Sequence, residues 1–214
     1  MKDSGSAVLI DGKARAAALR AEVAEQWRAA YHGEIAEAEV AITSGCNQAF
    51  AAAIATLCAE GDEVILPTPW YFNHKMWLDM SGVRTVALPA GSGLLPDPDA
   101  ARAMITPRTR AIALVTPNNP AGVEYPAELV GAFYDLAQEH GLALIVDETY
   151  RDFDSRTGAP HDLFSRHGWQ NTLIQLYSFS IAYRLTGHRV GAVVASPARL
   201  CQIKKSLDSV AISP

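Results

Sequence analysis

The stretch Leu176–Gly191, LYSFSIAYRLTGHRVG, decides how the rest of the chain is read. It holds the end of an apolar strand expected over Thr172–Tyr177, a polar turn, and the start of a second strand expected over Val190–Ala195. Between the strands lie the hydroxyls of Ser178 and Ser180, the cations Arg184 and Arg189, and Gly187 and Gly191. Small donors and a fixed cation around one turn suit a compact anion such as phosphate, held by side chains and backbone N–H groups together.

Upstream of this stretch, strand-like and helix-like segments alternate. Strands are expected at Val40–Thr43, Glu63–Pro67, Val83–Leu88, Arg110–Thr116 and Ala143–Val146. Helices are expected at Ala14–Ala30, Ala49–Ala59, Phe72–Met80, just after Pro98, at Ala127–His140, and beyond the last strand at Ala198–Val210. Strand followed by helix, repeated this often, predicts an α/β fold in three layers: a doubly wound, mostly parallel seven-stranded sheet with helices on both faces. Residues 1–39 read as an N-terminal helix region and 40–214 as the sheet domain. The long irregular stretch Asp152–Gln170 reads as a surface excursion.

Open sheets of this kind bind ligands at the carboxyl ends of their strands. The unusual residues fall there: Ser44-Gly45-Cys46-Asn47, Trp70-Tyr71, Asn118-Asn119-Pro120, Asp147 to Tyr150, and Ser178 to Ser180 each follow a strand. SGCNQ feeds a helix and so offers an anion site at a helix N-terminus, or else a plain N-cap turn through Ser44 or Asn47. The rings of PTPWYFNH suit either a ligand or packing in the core or at its rim, and TPNNPAG is turn chemistry on any account. Asp147 closes the apolar run ALIVD and needs a cationic or N–H partner.

A formal net charge of −5 and the lack of a basic tract argue against nucleic acid as a partner. No apolar run approaches the ~20 residues that cross a bilayer, so no membrane partner is expected. Three unclustered cysteines, Cys46, Cys58 and Cys201, suggest reduced thiols in the cytoplasm, with neither a disulfide framework nor a metal site. A nicotinamide oxidoreductase is disfavoured because no G-x-G-x-x-G follows the first strand.

Taken in order from Thr43 to Gly191, the set SGCNQ, PTPWY, TPNNPAG, VDETY and SFS…R resembles the fold-type-I pyridoxal-phosphate (PLP) aminotransferases of class I/II. That resemblance implies the family's cofactor-binding large domain, and amino-group transfer between an amino acid and a 2-oxo acid. It implies that the amides of Gly45, Cys46 and Asn47 hold the cofactor phosphate together with Ser178, Ser180 and Arg189. Tyr71 would stack on the pyridine ring, with Trp70 in its place if the register slips by one. Asn119 and Tyr150 would meet the ring oxygen, and Asp147 would keep the pyridinium nitrogen protonated.

Two departures accompany the resemblance. Ile181 stands where the family carries the lysine that forms the Schiff base, and Lys204 and Lys205 lie too far along to replace it. His188, beside Arg189, reads as surface rather than as a proton shuttle. No catalytic residue is therefore assigned, and PLP, if bound, is expected to bind non-covalently. The C-terminal small domain of the family is expected to be absent, which would bare the apolar side of the last helix (Leu200, Ile203, Leu207, Val210) unless a partner covers it. The reading is an aminotransferase impaired by Ile181. The alternative is a non-catalytic PLP-binding or scaffold subunit. Expected partners are an amino acid or 2-oxo acid, and a homodimer or an intact aminotransferase subunit.

Overall fold

The computed structural model describes residues 12–210. Its strands are β1 (Val40–Thr43), β2 (Glu63–Thr68), β3 (Arg84–Pro89), β4 (Thr109–Val115), β5 (Ala143–Asp147), β6 (Leu173–Ser178) and β7 (Gly191–Val194). They form one sheet in the order β1-β7-β6-β5-β4-β2-β3. β7 runs antiparallel to both of its neighbours, and every other pairing is parallel. The helices are α1 (Gly12–Tyr31), α2 (Cys46–Leu57), α3 (Phe72–Met80), α4 (Pro98–Met104), α5 (Ala127–Glu139) and α6 (Pro197–Val210). This is the expected three-layer, mostly parallel, seven-stranded arrangement.

The strands read as apolar runs because helices cover both faces of the sheet. Along β4, Ile112 and Leu114 point to a core shared with α1, α4 and α5, while Ala111 and Ala113 point to one shared with α2, α3 and α6. The second face is built from small residues. Ala49, Ala52 and Ala53 of α2 are buried against it, so the helix sits close to the sheet. Chain order reverses at β2: β3 lies on one side of it and β4 on the other. From there α3 leaves β2 toward one face and α5 leaves β4 toward the other, opening a crevice at the strand ends.

Three expectations need correction. α2 starts at Cys46 rather than Ala49, because CNQ forms the first helical turn although its polar residues read as loop. The apolar side of α6 is not bare: Leu200, Ile203 and Leu207 are buried in the core beside α2, and only Val210, at the helix end, is exposed (73%). Spacings of three and four put those buried residues on one face, and α2 covers it. Asp152–Gln170 is a surface excursion only in part: 152–158 lie mostly at the surface, but the rest is anchored in the core. Its short 3₁₀ turns bury Leu163, Phe164 and Trp169, and His161 is buried just before the first of these. Phe164 packs edge-on against both Tyr31 and Trp169, with each pair of ring centres 4.9 Å apart. This cluster seats the end of α1, whose Val23, Trp27 and Tyr31 join the first core.

Candidate functional site

The turn from β1 into α2 closes on the loop before β7. Gly45 has φ +85° and ψ 167°, a backbone conformation that favours glycine, and a Cβ there would lie 2.2 Å from Arg189 Nη2. Across the same junction, a Cβ on Gly191 would come within 2.6 Å of the Gly45 carbonyl carbon. Glycine at both positions lets the helix N-terminus and the arginine approach. Gly45 brings no side-chain cap to α2, so the first-turn amides remain for a ligand. Arg189 Nη1 donates to Ser180 Oγ (3.2 Å) and to the Thr186 carbonyl (3.1 Å), and the Ser180 N–H donates to Ser178 Oγ (3.2 Å). The guanidinium is thus fixed beside two hydroxyls and a helix N-terminus.

At the end of β5, Asp147 is buried (3% exposed), and its Oδ1 accepts from the Thr149 N–H (3.0 Å) and hydroxyl (2.7 Å). His74 Nε2 lies 3.1 Å from the other oxygen, Oδ2, at ion-pair distance but outside good hydrogen-bond alignment. Burial alone would raise the carboxyl pKa, yet His74 and Thr149 outweigh it and hold Asp147 below the usual carboxylate range. His74 is itself clamped, stacked on Phe50 with centres 3.8 Å apart and edge-on to Tyr71 at 5.1 Å. Burial, with Asp147 nearby, pushes the Cys46 thiol well up, so it is a neutral wall residue rather than a nucleophile. Asn119 Nδ2 donates to the Tyr150 hydroxyl at 3.3 Å, pairing the loops after β4 and β5.

One cleft, with a volume of about 240 Å³, gathers these groups. Every residue singled out for cofactor binding lines it except Gly45, which lies against Arg189. Tyr71 lines it and Trp70 does not; Trp70 packs on the second core. Ile181 is on the wall, 38% exposed. No lysine lines this cleft among the described residues. Lys75 is paired with Asp79 (2.6 Å), and Lys204 and Lys205 are exposed on α6. His188 is exposed on the 3₁₀ turn before β7 and does not line the cleft.

The sequence reasoning missed His74, Thr149 and Thr186. His74 follows Tyr71 by three residues, so a helix starting at Phe72 aims it back toward the aromatic loop; that spacing was the available signal. Thr149, two residues after Asp147, forms the local turn bond that aspartate favours. Also missed was the network on the opposite face. Glu148 Oε2 accepts from the Tyr31 hydroxyl (2.6 Å) and from Gln175 Nε2 (3.1 Å), and Trp27 Nε1 donates to Gln175 Oε1 (2.9 Å). The Leu163 N–H donates to His161 Nδ1 at 3.3 Å, which leaves the proton on Nε2, 3.3 Å from Glu148. Burial would raise Glu148, but His161, Tyr31 and Arg151 bring it below the ordinary range.

Comparison with known proteins follows the same lines. Residues 4–214 match the family model described as aminotransferase class I and II. The chain is 35% identical over 188 residues to arginine–pyruvate transaminase AruH of Pseudomonas aeruginosa, covering 86% of this chain and 47% of that one. It is 30% identical over 202 residues to aspartate/prephenate aminotransferase of Thermus thermophilus, covering 89% and 51%. The structure of N-succinyldiaminopimelate aminotransferase from Mycobacterium tuberculosis superposes with a TM-score of 0.84 at 29% identity, covering 92% of this chain and 53% of that one. The chain spans about half the length of the curated relatives it matches. With a family model matched from residue 4 to residue 214 and a cleft assembled from its motifs, the chain belongs to the class I and II aminotransferases, a PLP-dependent family.

Proposed function

We propose that this cleft holds PLP and that the chain is the cofactor-binding part of an aminotransferase whose chemistry Ile181 impairs. One observation carries the reading: side chains from five separate loops, at the carboxyl ends of β1, β2, β4, β5 and β6, meet in a single cleft with chemistry suited to this ligand. Arg189, Ser178, Ser180 and the first-turn amides of α2 fit a phosphate. Asp147, kept ionised, fits a protonated ring nitrogen, and Asn119 with Tyr150 fits a ring oxygen. Tyr71 offers a ring to stack on.

When bound, PLP supplies the electron sink that stabilises negative charge at the α-carbon of an amino acid. The protein's share is to orient the ring and keep it protonated. Thr149 and His74 fix Asp147, which would hold a proton on the ring nitrogen. The Ile181 side chain offers neither an amine nor a base. Substrates of the intact reaction would be an amino acid and a 2-oxo acid, as the names of the relatives suggest. We also propose the cytoplasm as the compartment, and assembly as a homodimer or with an intact aminotransferase subunit. Among the described residues, no helix is long and apolar enough to cross a membrane.

That no lysine among the described residues lines the cleft favours a second reading, a non-catalytic PLP-binding or scaffold subunit. PLP titration followed by absorbance, with borohydride reduction and intact mass, tests both. The chain is expected to bind PLP without a covalent adduct. Ile181→Lys is expected to gain an adduct and, on the impaired-enzyme reading, amino-group exchange. A variant that forms the adduct but exchanges nothing supports the scaffold reading. Failure of the unchanged chain to bind PLP removes the site assignment.

A further inference from the structure

We infer that Trp27 of α1 is a positioning residue for the cleft: it holds the Ser178–Ser180 turn in place and so sets how tightly a phosphate is gripped. This rests on the site reading above and extends it to α1, no residue of which lines the cleft among the described residues.

Successive side chains of a strand point to opposite faces, and the end of β6 uses both. Ser178 and Ser180 line the cleft. Gln175, Tyr177 and Phe179 face the first core instead, where Trp27 is fully buried and meets all three. Its indole N–H donates to Gln175 Oε1 (2.9 Å), and its ring stands edge-on to Tyr177 with centres 5.0 Å apart. Phe179 lies 6.3 Å from it at a tilt, within the range of favourable ring pairs, and is itself edge-on to Tyr177 at 5.0 Å. The residue between the two serines is thus seated in an aromatic cluster that Trp27 anchors. The Phe179 N–H also donates to the Val190 carbonyl (3.1 Å), but beyond it the turn has little to lean on: Ile181, Tyr183 and Arg184 are exposed, as are residues 186–189.

A cation strengthens the anchor. The Arg151 guanidinium lies 4.3 Å from the Trp27 ring centre and 4.5 Å from that of Tyr177. Arg151 directly follows Tyr150 of the cleft wall, so one indole backs two of the ligand-facing loops. Donors that are ordered before a ligand arrives spare it that part of the ordering cost. A smaller residue at position 27 would leave space into which Phe179 can shift, and both serine hydroxyls would move with it.

Calorimetric PLP titration of the full 214-residue chain, at a temperature where each variant is fully folded, tests the inference. Trp27→Leu is expected to weaken PLP binding by about tenfold. Trp27→Phe keeps a ring against Tyr177 and Phe179, and its loss is expected to be about threefold or less. In a Ser180→Ala background the further loss from Trp27→Leu is expected to shrink to about threefold or less, because a hydroxyl it positions is gone. A folded Trp27→Leu chain that binds PLP as the unchanged chain does, or a loss of equal size in both backgrounds, would show a purely structural tryptophan. Either result overturns the inference and leaves the site reading standing. Should Trp27→Leu not fold, Phe179→Leu removes the same contact from the turn's side and carries the same expectations. An unchanged chain that binds no PLP overturns the site reading and this inference with it.

Discussion

His74 Nε2 lies 3.1 Å from Asp147 Oδ2, and both side chains are almost fully buried (2% and 3% exposed). The pair joins α3 to the end of β5, so the acid at the centre of the cleft is held from the helix that the aromatic loop begins. Stacking on Phe50 fixes the imidazole in turn. Asp147 is thereby set in position and ionised before any ligand arrives.

That relationship has a pH signature. Because Asp147 is held below the ordinary carboxylate range, its stabilisation is fully present above the unfolded pKa of about 3.9 and is lost as pH falls through the lower folded value. His74→Phe keeps a ring for Phe50 but removes the partner, leaving only the two Thr149 bonds to oppose burial, so the carboxyl pKa rises relative to the unchanged chain. Removing one member of a buried pair costs about 3–5 kcal/mol. The cost is expected to be largest near neutral pH and to shrink as pH falls toward about 4, because the variant's carboxyl takes up a proton before that of the unchanged chain. Urea unfolding across that range measures it. A deficit that does not vary with pH would mean His74 acts by packing alone.

Arg189 is expected to carry much of the phosphate affinity. A hydrogen bond to a charged group contributes roughly 1.5–3 kcal/mol, so Arg189→Ala should weaken PLP binding by about ten- to a hundredfold or more. Arg189→Lys should recover only part of that, since an ammonium lacks the planar fork of donors. Titration of both variants decides it. Equal affinities in Arg189→Ala and the unchanged chain would place the phosphate elsewhere.

Gly45→Ala should damage fold and site together. Alanine at φ +85° is strained by about 1–3 kcal/mol, and its methyl would displace the guanidinium that touches this glycine. Thermal unfolding reads the strain, and anion titration reads the displaced arginine. Adding Arg189→Ala relieves the clash but not the strain, so the pair should cost less stability than the sum of the single changes.

Tyr31→Phe tests the seating of α1. It removes the 2.6 Å donor from buried Glu148, leaving Gln175 and His161 to satisfy the carboxylate. A loss of about 1–3 kcal/mol is expected. Combined with Glu148→Gln, the loss should fall short of additive, because both changes break one bond. Strict additivity in a double-mutant cycle would show that the two groups do not couple.

Ile203→Ala should cost about 2–5 kcal/mol, as for a large residue truncated inside a core. Chemical denaturation is the measurement. A cost below about 1 kcal/mol would instead fit a solvent-facing residue.

Much of the frame was legible from sequence because its signals are local. Apolar runs bounded by turn residues marked all seven strands, and the polar residues after them marked the rim. Each of the motifs from SGCNQ to SFS…R lies within a few residues, so the resemblance to the class I/II aminotransferases was legible motif by motif, and that resemblance named the ten cofactor candidates. Ile181 was equally plain as a residue type.

What remained hidden depended on partners distant in the chain. His74 is an ordinary helix residue until α3 packs beside β5, 73 residues later, and Glu148 needs Tyr31, 117 residues earlier. Whether Leu200, Ile203 and Leu207 faced water depended on α2 lying across them, and an amphipathic stripe does not say what covers it. The burial of Phe164 and Trp169 was invisible because 3₁₀ turns too short for a period carry them. Residue order determined the elements and the chemistry available to each loop. Only tertiary packing decided which of those groups became neighbours, because contact, burial and the resulting shift of Asp147 arise when separate elements exclude water together.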